Sequence, residues 1–367
     1  ALPISHIEFF EQNGELSLDQ DIGIRIAGNA SRTLNVKSLR LYARDDYGDP
    51  DFNYQFFTTK DQDNWNRITL RTAGNDCHNA YMRDGFHHYM LKDLDVDLMQ
   101  YRPIILFING EYWGIHNIRD RYSTEYIFDN WGVEEDSLDF LEINSEIISG
   151  DVIHYNNMND FLDNNDMSDS ANYAYIKTQI NVENFIDYIS GNLIICNTDW
   201  PYNNIRYWRK RTNSYKPDAQ PGHDGRWRWM VYDTDYGFAR IQPSSYNQIA
   251  NVLTSSGYST GIMRRLIGNS EYPGNQEFRE DLLNKICDEL NTSFDTTYTL
   301  SVIDSFKNRL VPEMEEHIDR WNKPGNYNWW ANTQIETNMK NFARERPDYL
   351  RGHLRSQFGI SQDAKLT

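Results

Sequence analysis

Cysteine is scarce in this chain. Its 367 residues include three, Cys77, Cys196 and Cys287. They stand far apart and form no C-x-x-C pair, which argues against a disulfide framework or a structural zinc site and leaves buried thiols as the expectation. Long apolar runs are missing as well. Nothing approaches the roughly 20 residues a membrane-spanning helix needs, and the most apolar stretch, around 193–196, is far shorter. Neither a basic n-region nor an apolar h-region stands at Ala1. Positive charge is in deficit: 36 Lys and Arg face 54 Asp and Glu, a net charge of −18. A surface this negative repels phosphate backbones, so nucleic acid is not an expected partner, whereas cations and basic polypeptides are attracted. G-x-G-x-x-G and H-E-x-x-H do not occur, and no Cys/His nucleophile pair stands out. His87 and His88 are adjacent on a predicted helix, where neighbours do not face one another, which argues against joint metal binding.

What is present is enough apolar material for a sizeable core. Hydrophobic residues make up 39% and aromatics 14% of the chain, and the length suggests two domains or lobes. The first third reads as strands with one helix inserted. A short apolar run covers 4–10. Ile22, Ile24 and Ile26 alternate with small or polar residues, which predicts a half-buried strand, and 36–43 alternates again. The segment 45–64 is polar and turn-rich. A short strand is predicted at 68–71 and a helix over 79–93. Two strands, 103–108 and 112–118, flank Asn109-Gly110, the strongest short-range hairpin signal. An Asn- and Asp-rich stretch, 120–175, reads as short helices and a connecting loop. Helical spacing then runs over 182–196 and is ended by Asp199-Trp200-Pro201. The segments 205–208 and 227–232 read as a hairpin around the polar loop 209–226. Three C-terminal helices are predicted at 278–290, 297–321 and 333–358.

That order predicts an α+β, protein-kinase-like two-lobed fold. A strand-rich, nucleotide-binding lobe would cover 1–120, a connector 121–180 and a mainly helical catalytic lobe 181–367. Fold analogy alone does not give function, so the chemistry must come from particular residues.

The first such group is Asp199-Trp200-Pro201-Tyr202-Asn203-Asn204. An Asp five residues before an Asn matches the kinase catalytic loop, in which the Asp accepts a hydroxyl proton and the Asn holds magnesium. Asn203 is an alternative to Asn204, and a turn-capping Asp beside a decorative Asn pair would give the same spacing. The second group is Tyr232-Asp233-Thr234-Asp235-Tyr236-Gly237-Phe238. Residues two apart on a strand share a face, so Asp233 and Asp235 are expected to project together and to be neutralised by a hard divalent cation. Asp235-Tyr236-Gly237 also parallels the Asp-Phe-Gly metal motif. The third group is Gly28-Asn29-Ala30-Ser31-Arg32, a turn between strands whose N–H groups could face phosphate oxygens, with Arg32 and Lys37 adding positive charge. An ordinary turn explains it equally well. For Arg71, Arg83 and Arg119, phosphate contact and pairing with a neighbouring acid are both open.

Taken in order, these segments resemble the CotH family, the spore-coat-protein-H kinase-like proteins. The resemblance runs through residues 23–32 with Lys37-Ser38-Leu39-Arg40, Leu70-Arg71 with Gly74-Asn75-Asp76, and Arg83-Asp84. It continues through Asn109-Gly110-Glu111-Tyr112-Trp113-Gly114, the Asp199 and Asp233–Phe238 segments, and Pro312-Glu313-Met314 with His317-Ile318 and Arg320-Trp321. It implies an atypical, secreted or surface-associated protein kinase. Such an enzyme would use ATP and Mg2+ or Mn2+ to phosphorylate Ser or Thr of protein substrates, and the chain's charge favours basic segments around the acceptor. By that match Asp199 is catalytic, Asn204, Asp233 and Asp235 are metal-linked, and Ser31, Arg32 and Lys37 touch phosphate. Asp120 stands after Arg119 where the family pattern carries Glu, which would weaken an ion pair to Lys37. The rival readings are a catalytically silent surface binding or assembly module and a metal phosphohydrolase.

Overall fold

Alternating apolar residues dictate the first strands. In the computed structural model, which describes residues 3–361, β1 (Ile4–Phe10) pairs antiparallel with β2 (Leu16–Ile26). The expected lobe limits at 1 and 367 lie outside the described residues. Ile22 is buried, Ile24 partly so, and Ile26 faces solvent. β3 (Leu39–Tyr42) buries Leu39 and Leu41 and is shorter than the predicted 36–43. β4 (Phe52–Asn53) and β5 (Asn64–Trp65) form a small ribbon. β6 (Arg67–Arg71), α1 (Arg83–Met90), β7 (Arg102–Ile108) and β8 (Glu111–Arg119) follow. The main sheet has the order β1-β2-β3-β6-β8-β7 and is antiparallel throughout. Asn109 (φ 53°) and Gly110 (φ 78°) are both left-handed, as a two-residue turn matching the strand twist requires.

The polar, turn-rich segment 45–64 also carries core residues, and one predicted helix needs correction. Phe52, Phe56, Phe57 and Trp65 are buried in one cluster with Phe9, Leu41 and Ile68, and Phe56 meets Phe9, Phe52 and Trp65 edge-on at centroid distances of 5.6, 6.2 and 6.5 Å. The helix predicted over 79–93 begins only at Arg83. The buried Asp76 carboxylate accepts the N–H groups of Ala80, Met82 and Arg83 and pairs with the Arg83 guanidinium, which holds the preceding residues in a tight turn instead.

The rest of the chain is mainly helical around a second, smaller sheet. α2 (Thr124–Trp131) is capped by the Ser123 hydroxyl. β9 (Leu138–Glu142) and β10 (Glu146–Ser149) come next, where only helices and loop were predicted. Leu138, Asp139, Phe140 and Leu141 are all buried, and a strand buried on both faces shows no alternation. α3 (Ile153–Asn164), α4 (Ser170–Lys177) and α5 (Val182–Ile195) follow. β11 (Arg206–Lys210) and β12 (Arg228–Met230) pair as predicted, within a sheet of order β10-β9-β11-β12. α6 (Gln248–Thr254) and α7 (Gly261–Ile267) were not predicted. α8 (Gln276–Asn291) and α9 (Thr296–Trp321) match expectation. The last helix starts earlier than predicted: Trp329–Met339 is wound as a π-helix and runs into α10 (Lys340–Phe358).

The protein is thus a mixed α+β chain with an antiparallel sheet. It divides into two compact units. One takes in the chain up to Tyr89, Met99–Tyr122 and Ile303–Glu336; the other takes in Met90–Leu98, Ser123–Val302 and the chain from Thr337. Among the described residues no helix is long and apolar enough to cross a membrane. No disulfide joins the three cysteines.

Candidate active site

The loop after α5 is built from the helix end outward. α5 is almost entirely buried and stops where Cys196 turns left-handed (φ 53°). Asn197 folds back on Asn192, its N–H to the carbonyl and its amide Nδ2 to Oδ1, both at 3.1 Å. The buried Gln248 side chain donates to the carbonyls of Asn197 and Trp200, each at 3.0 Å, and so clamps both sides of Asp199. The Asp199 carbonyl accepts the N–H groups of Tyr202 (3.1 Å) and Asn203 (2.9 Å), which closes a tight turn. That turn returns two amides to the Asp199 carboxylate: Asn203 Nδ2 donates to Oδ1 at 2.9 Å and Asn204 Nδ2 to Oδ2 at 2.7 Å. The predicted five-residue spacing therefore brings Asp199 and Asn204 into contact, and Asn203 joins them.

Asn204 Nδ2 also reaches the Asp233 carbonyl at 3.4 Å, which brings the second predicted segment to the first. The reason differs from the one expected. β12 ends at Met230, and Asp233 is left-handed (φ 51°). Asp233 and Asp235 therefore do not share a strand face; Asp233 is half-buried and Asp235 buried. Their segment is held by other means. Thr198 Oγ1 donates to the Tyr236 carbonyl at 3.4 Å, and the Phe238 N–H to the Ile195 carbonyl at 2.8 Å. Phe238 packs on Phe342 at 4.4 Å. Arg346, 2% exposed, donates to Leu193 (2.6 Å), Ile194 (3.3 Å), Ser244 (2.9 Å) and Tyr246 (2.8 Å). It thereby ties the end of α5 to the stretch beyond Phe238. Neither Gln248 nor Arg346 was singled out from the sequence, because a side chain bonding distant carbonyls leaves no local signal.

Left-handed residues other than glycine concentrate here. Cys196, Asn204, Asp233, Phe238 and Ala239 are five of the ten such residues among those described. Each costs on the order of 1–3 kcal/mol and persists only where surrounding contacts over-determine it. The strain coincides with the predicted site.

The donor chemistry suits a hard cation. With Asn204 Nδ2 engaged on Asp199, the amide oxygen Oδ1 is left as an acceptor, and the carboxylates nearby are oxygen ligands of the type Mg2+ or Mn2+ prefer. Among the described residues no group of three or more His, Cys, Asp or Glu stands ready to hold a metal. Magnesium is commonly held by one or two carboxylates together with water and substrate phosphate, so the residues present fit that kind of site and not a dedicated protein cage.

The residues predicted to touch phosphate lie in the other unit. Ala30–Thr33 is a single 3-10 turn carrying Ser31 and Arg32. Gly28 is left-handed (φ 95°), and a Cβ there would overlap the Ser31 hydroxyl. Lys37 precedes β3, and its Nζ donates to the Arg32 carbonyl at 2.6 Å. Asp120 does not pair with Lys37. It accepts the Gln100 N–H at 2.6 Å and lies 3.5 Å from Lys60. Burial pushes its carboxyl up, against the opposing pull of Lys60. The three candidate arginines all have acidic neighbours: Arg83 pairs with Asp76, while Arg119 (2.5 Å) and Arg71 (3.7 Å) both approach Asp84. Burial opposes the Asp84 charge, yet Arg119 and Arg71 hold its carboxyl well below the usual range.

Comparison with known proteins gives one assignment. The family model described as CotH kinase protein matches residues 24–350. A search of curated proteins returns no match.

Proposed function

The chain belongs to the CotH kinase family, and from that premise we propose that it is a divalent-metal- and ATP-dependent protein kinase acting on Ser or Thr of secreted or surface proteins. The strand-rich unit would serve as the nucleotide-holding lobe and the helical unit as the catalytic lobe of a kinase-like fold. Asp199 would accept the proton of the substrate hydroxyl. Asn204, Asp233 and Asp235 would hold the cation, which when bound neutralises charge developing on the phosphates. Ser31, Arg32 and Lys37 would contact phosphate.

The observation that carries this reading is the Asn204 amide, bonded to the Asp199 carboxylate and the Asp233 carbonyl at once. It unites two segments that the sequence separates by 29 residues or more. The two amides hold Asp199 in a fixed orientation, which is what a positioned base requires. Net charge of −18 favours acceptors flanked by Lys or Arg.

The test is phosphoryl transfer from labelled ATP to Ser- and Thr-containing proteins, in wild type and in Asp199→Asn. A positioned acid–base group contributes about 10²–10⁴-fold, so transfer should fall by that much while the fold is kept. Turnover at the wild-type rate by a folded Asp199→Asn protein removes Asp199 from the role. ATP turnover without a phosphoprotein product points to a phosphohydrolase, and neither activity, with no ATP binding, to a silent surface module.

A further inference from the structure

A small polar cleft lies wholly within the strand-rich unit, and none of the residues given a role above lines it. Its space is about 10 Å³, and Arg71, Arg83, Asp84, Tyr101, Asn117 and Arg119 are among the residues lining it. Three polar atoms on these walls are buried without a hydrogen-bond partner: Tyr101 Oη, Asn117 Oδ1 and Arg119 Nε. Arg119 and Asn117 are 2% and 4% exposed. Leaving even one such group unsatisfied is costly, and three around one space point to an occupant.

The charge of the walls indicates its kind. Three guanidinium groups and one carboxylate line the cleft. Two further carboxylates stand nearby: Asp76 pairs with Arg83 and accepts three backbone N–H groups besides, and Asp120, which also acts on Arg119, is answered by Lys60 at 3.5 Å. His88 adds no positive charge near neutral pH: its Nδ1 accepts the Met99 N–H at 3.0 Å, and burial holds the ring below its ordinary titration range. A water molecule would satisfy Arg119 Nε and Asn117 Oδ1 but would leave the positive field unanswered. An anionic oxygen answers it, accepting from Arg119 Nε and Tyr101 Oη, with Asn117 offering Nδ2 after a half-turn of its amide. The space admits one oxygen and no more. The remainder of a larger anion must stay outside, where the partly exposed Arg71 side chain can reach it.

We propose that this cleft is an anion site that takes one terminal oxygen of a phosphate group. The site does not depend on the kinase reading; only the identity of the phosphate's carrier, nucleotide or free phosphate, rests on it. Arginine suits the task because its rigid fork of N–H donors matches phosphate oxygens.

The test titrates inorganic phosphate into the full chain by calorimetry, at constant ionic strength set with chloride. Wild type, Tyr101→Phe and Arg71→Gln are compared. Tyr101→Phe removes a single hydroxyl and keeps the ring stacked on Phe306, so it should fold even where Arg71→Gln does not. Saturable binding is expected in wild type, weakened about tenfold in either variant, the loss of one charge-assisted bond. No saturable binding, binding as tight as wild type in both variants, or binding lost in Lys37→Met but kept in these two would each overturn the proposal, the cleft then holding water. ATP is titrated in parallel. Weakening of both ligands identifies a nucleotide phosphate, and weakening of inorganic phosphate alone identifies free phosphate; either outcome supports the site. Asp199→Asn should bind phosphate as wild type does, so loss of transfer and loss of this site are read separately.

Discussion

Replacing Arg346 by Met should loosen the Asp199 loop before it unfolds the protein. The Arg346 guanidinium is buried, and it serves four carbonyls, two at the end of α5 and two in the stretch after Phe238. Burial pulls its proton affinity down, but the negative end of the α5 dipole supports the charge. Hydrogen bonds from charged groups are worth about 1.5–3 kcal/mol each, a gross loss of roughly 6–12 kcal/mol for four. Against this, the variant no longer buries a cation, which returns several kcal/mol, and the Leu193 carbonyl keeps the Cys196 N–H at 3.3 Å. The net expectation is about 3 kcal/mol of destabilisation, within the range for removing one member of a buried polar network. Arg346→Lys keeps the charge but cannot span four acceptors, so about half that loss is expected. Urea denaturation gives the magnitude and hydrogen exchange the location. Protection should fall first at 193–204 and 233–246, and phosphoryl transfer should decline with it. A Met variant within about 1 kcal/mol of wild type, or one whose exchange rises evenly along the chain, would show that water replaces the guanidinium and refute the reasoning.

His317 supplies a pH test. Its Nδ1 accepts the Ile115 N–H at 3.1 Å, and burial, with His116 nearby, lowers its pKa from 6.5 to about 3. The folded state therefore resists protonation: the stabilisation is complete above pH 6.5 and is lost as pH falls towards 3, at about 1.4 kcal/mol per unit. His317→Asn should make the stability-versus-pH slope shallower by one proton between pH 6 and 4, and equal slopes in urea titrations would contradict this. For the cation, Asp233→Ala and Asp235→Ala should each weaken Mn2+ binding in calorimetric titration; parent-like binding in both places the metal elsewhere. For the substrate, peptides with Lys or Arg beside the Ser should be phosphorylated faster than those with Asp or Glu. The difference should shrink with salt as the Debye length falls from roughly 30 Å at 0.01 M to 3 Å at 1 M, and a preference for acidic flanks would end the idea.

The parts of the fold that were legible in the sequence are those whose cause is local. Asn109-Gly110 dictates its turn because both residues accept a left-handed backbone. The apolar face of α5 and the long C-terminal helices carry a 3.6-residue period over many residues. The missed pieces have non-local causes. Phe52, Phe56 and Phe57 sit among polar neighbours, and only their convergence on Phe9 and Trp65 makes them core. β9 is covered on both faces and so lacks the alternation that marks a half-buried strand. α1 starts late because Asp76 captures the preceding N–H groups, an event its own position in the sequence does not announce.

The candidate site was legible for a different reason than the one first offered. Aromatic and apolar residues, interrupted only by Arg228, run from Trp227 to Tyr232, so the strand pattern extends to the Asp pair. Yet the ladder stops at Met230, and the backbone turns left-handed at Asp233. A strand would have brought Asp233 and Asp235 side by side on one face. The turn instead aims the Asp233 carbonyl at Asn204 and buries Asp235. What unites the site is thus a set of hydrogen bonds to main-chain carbonyls, donated largely by the side chains of Asn204, Gln248 and Arg346, which the carboxylate spacing does not encode. This also accounts for the lack of a clustered acidic group among the described residues. Three bare carboxylates held together without a cation would repel one another and destabilise the loop. One or two carboxylates and an amide oxygen, with the remaining ligands brought by substrate and water, avoid that repulsion. On that argument metal affinity should rise sharply when nucleotide is present, because the nucleotide would supply the missing ligands.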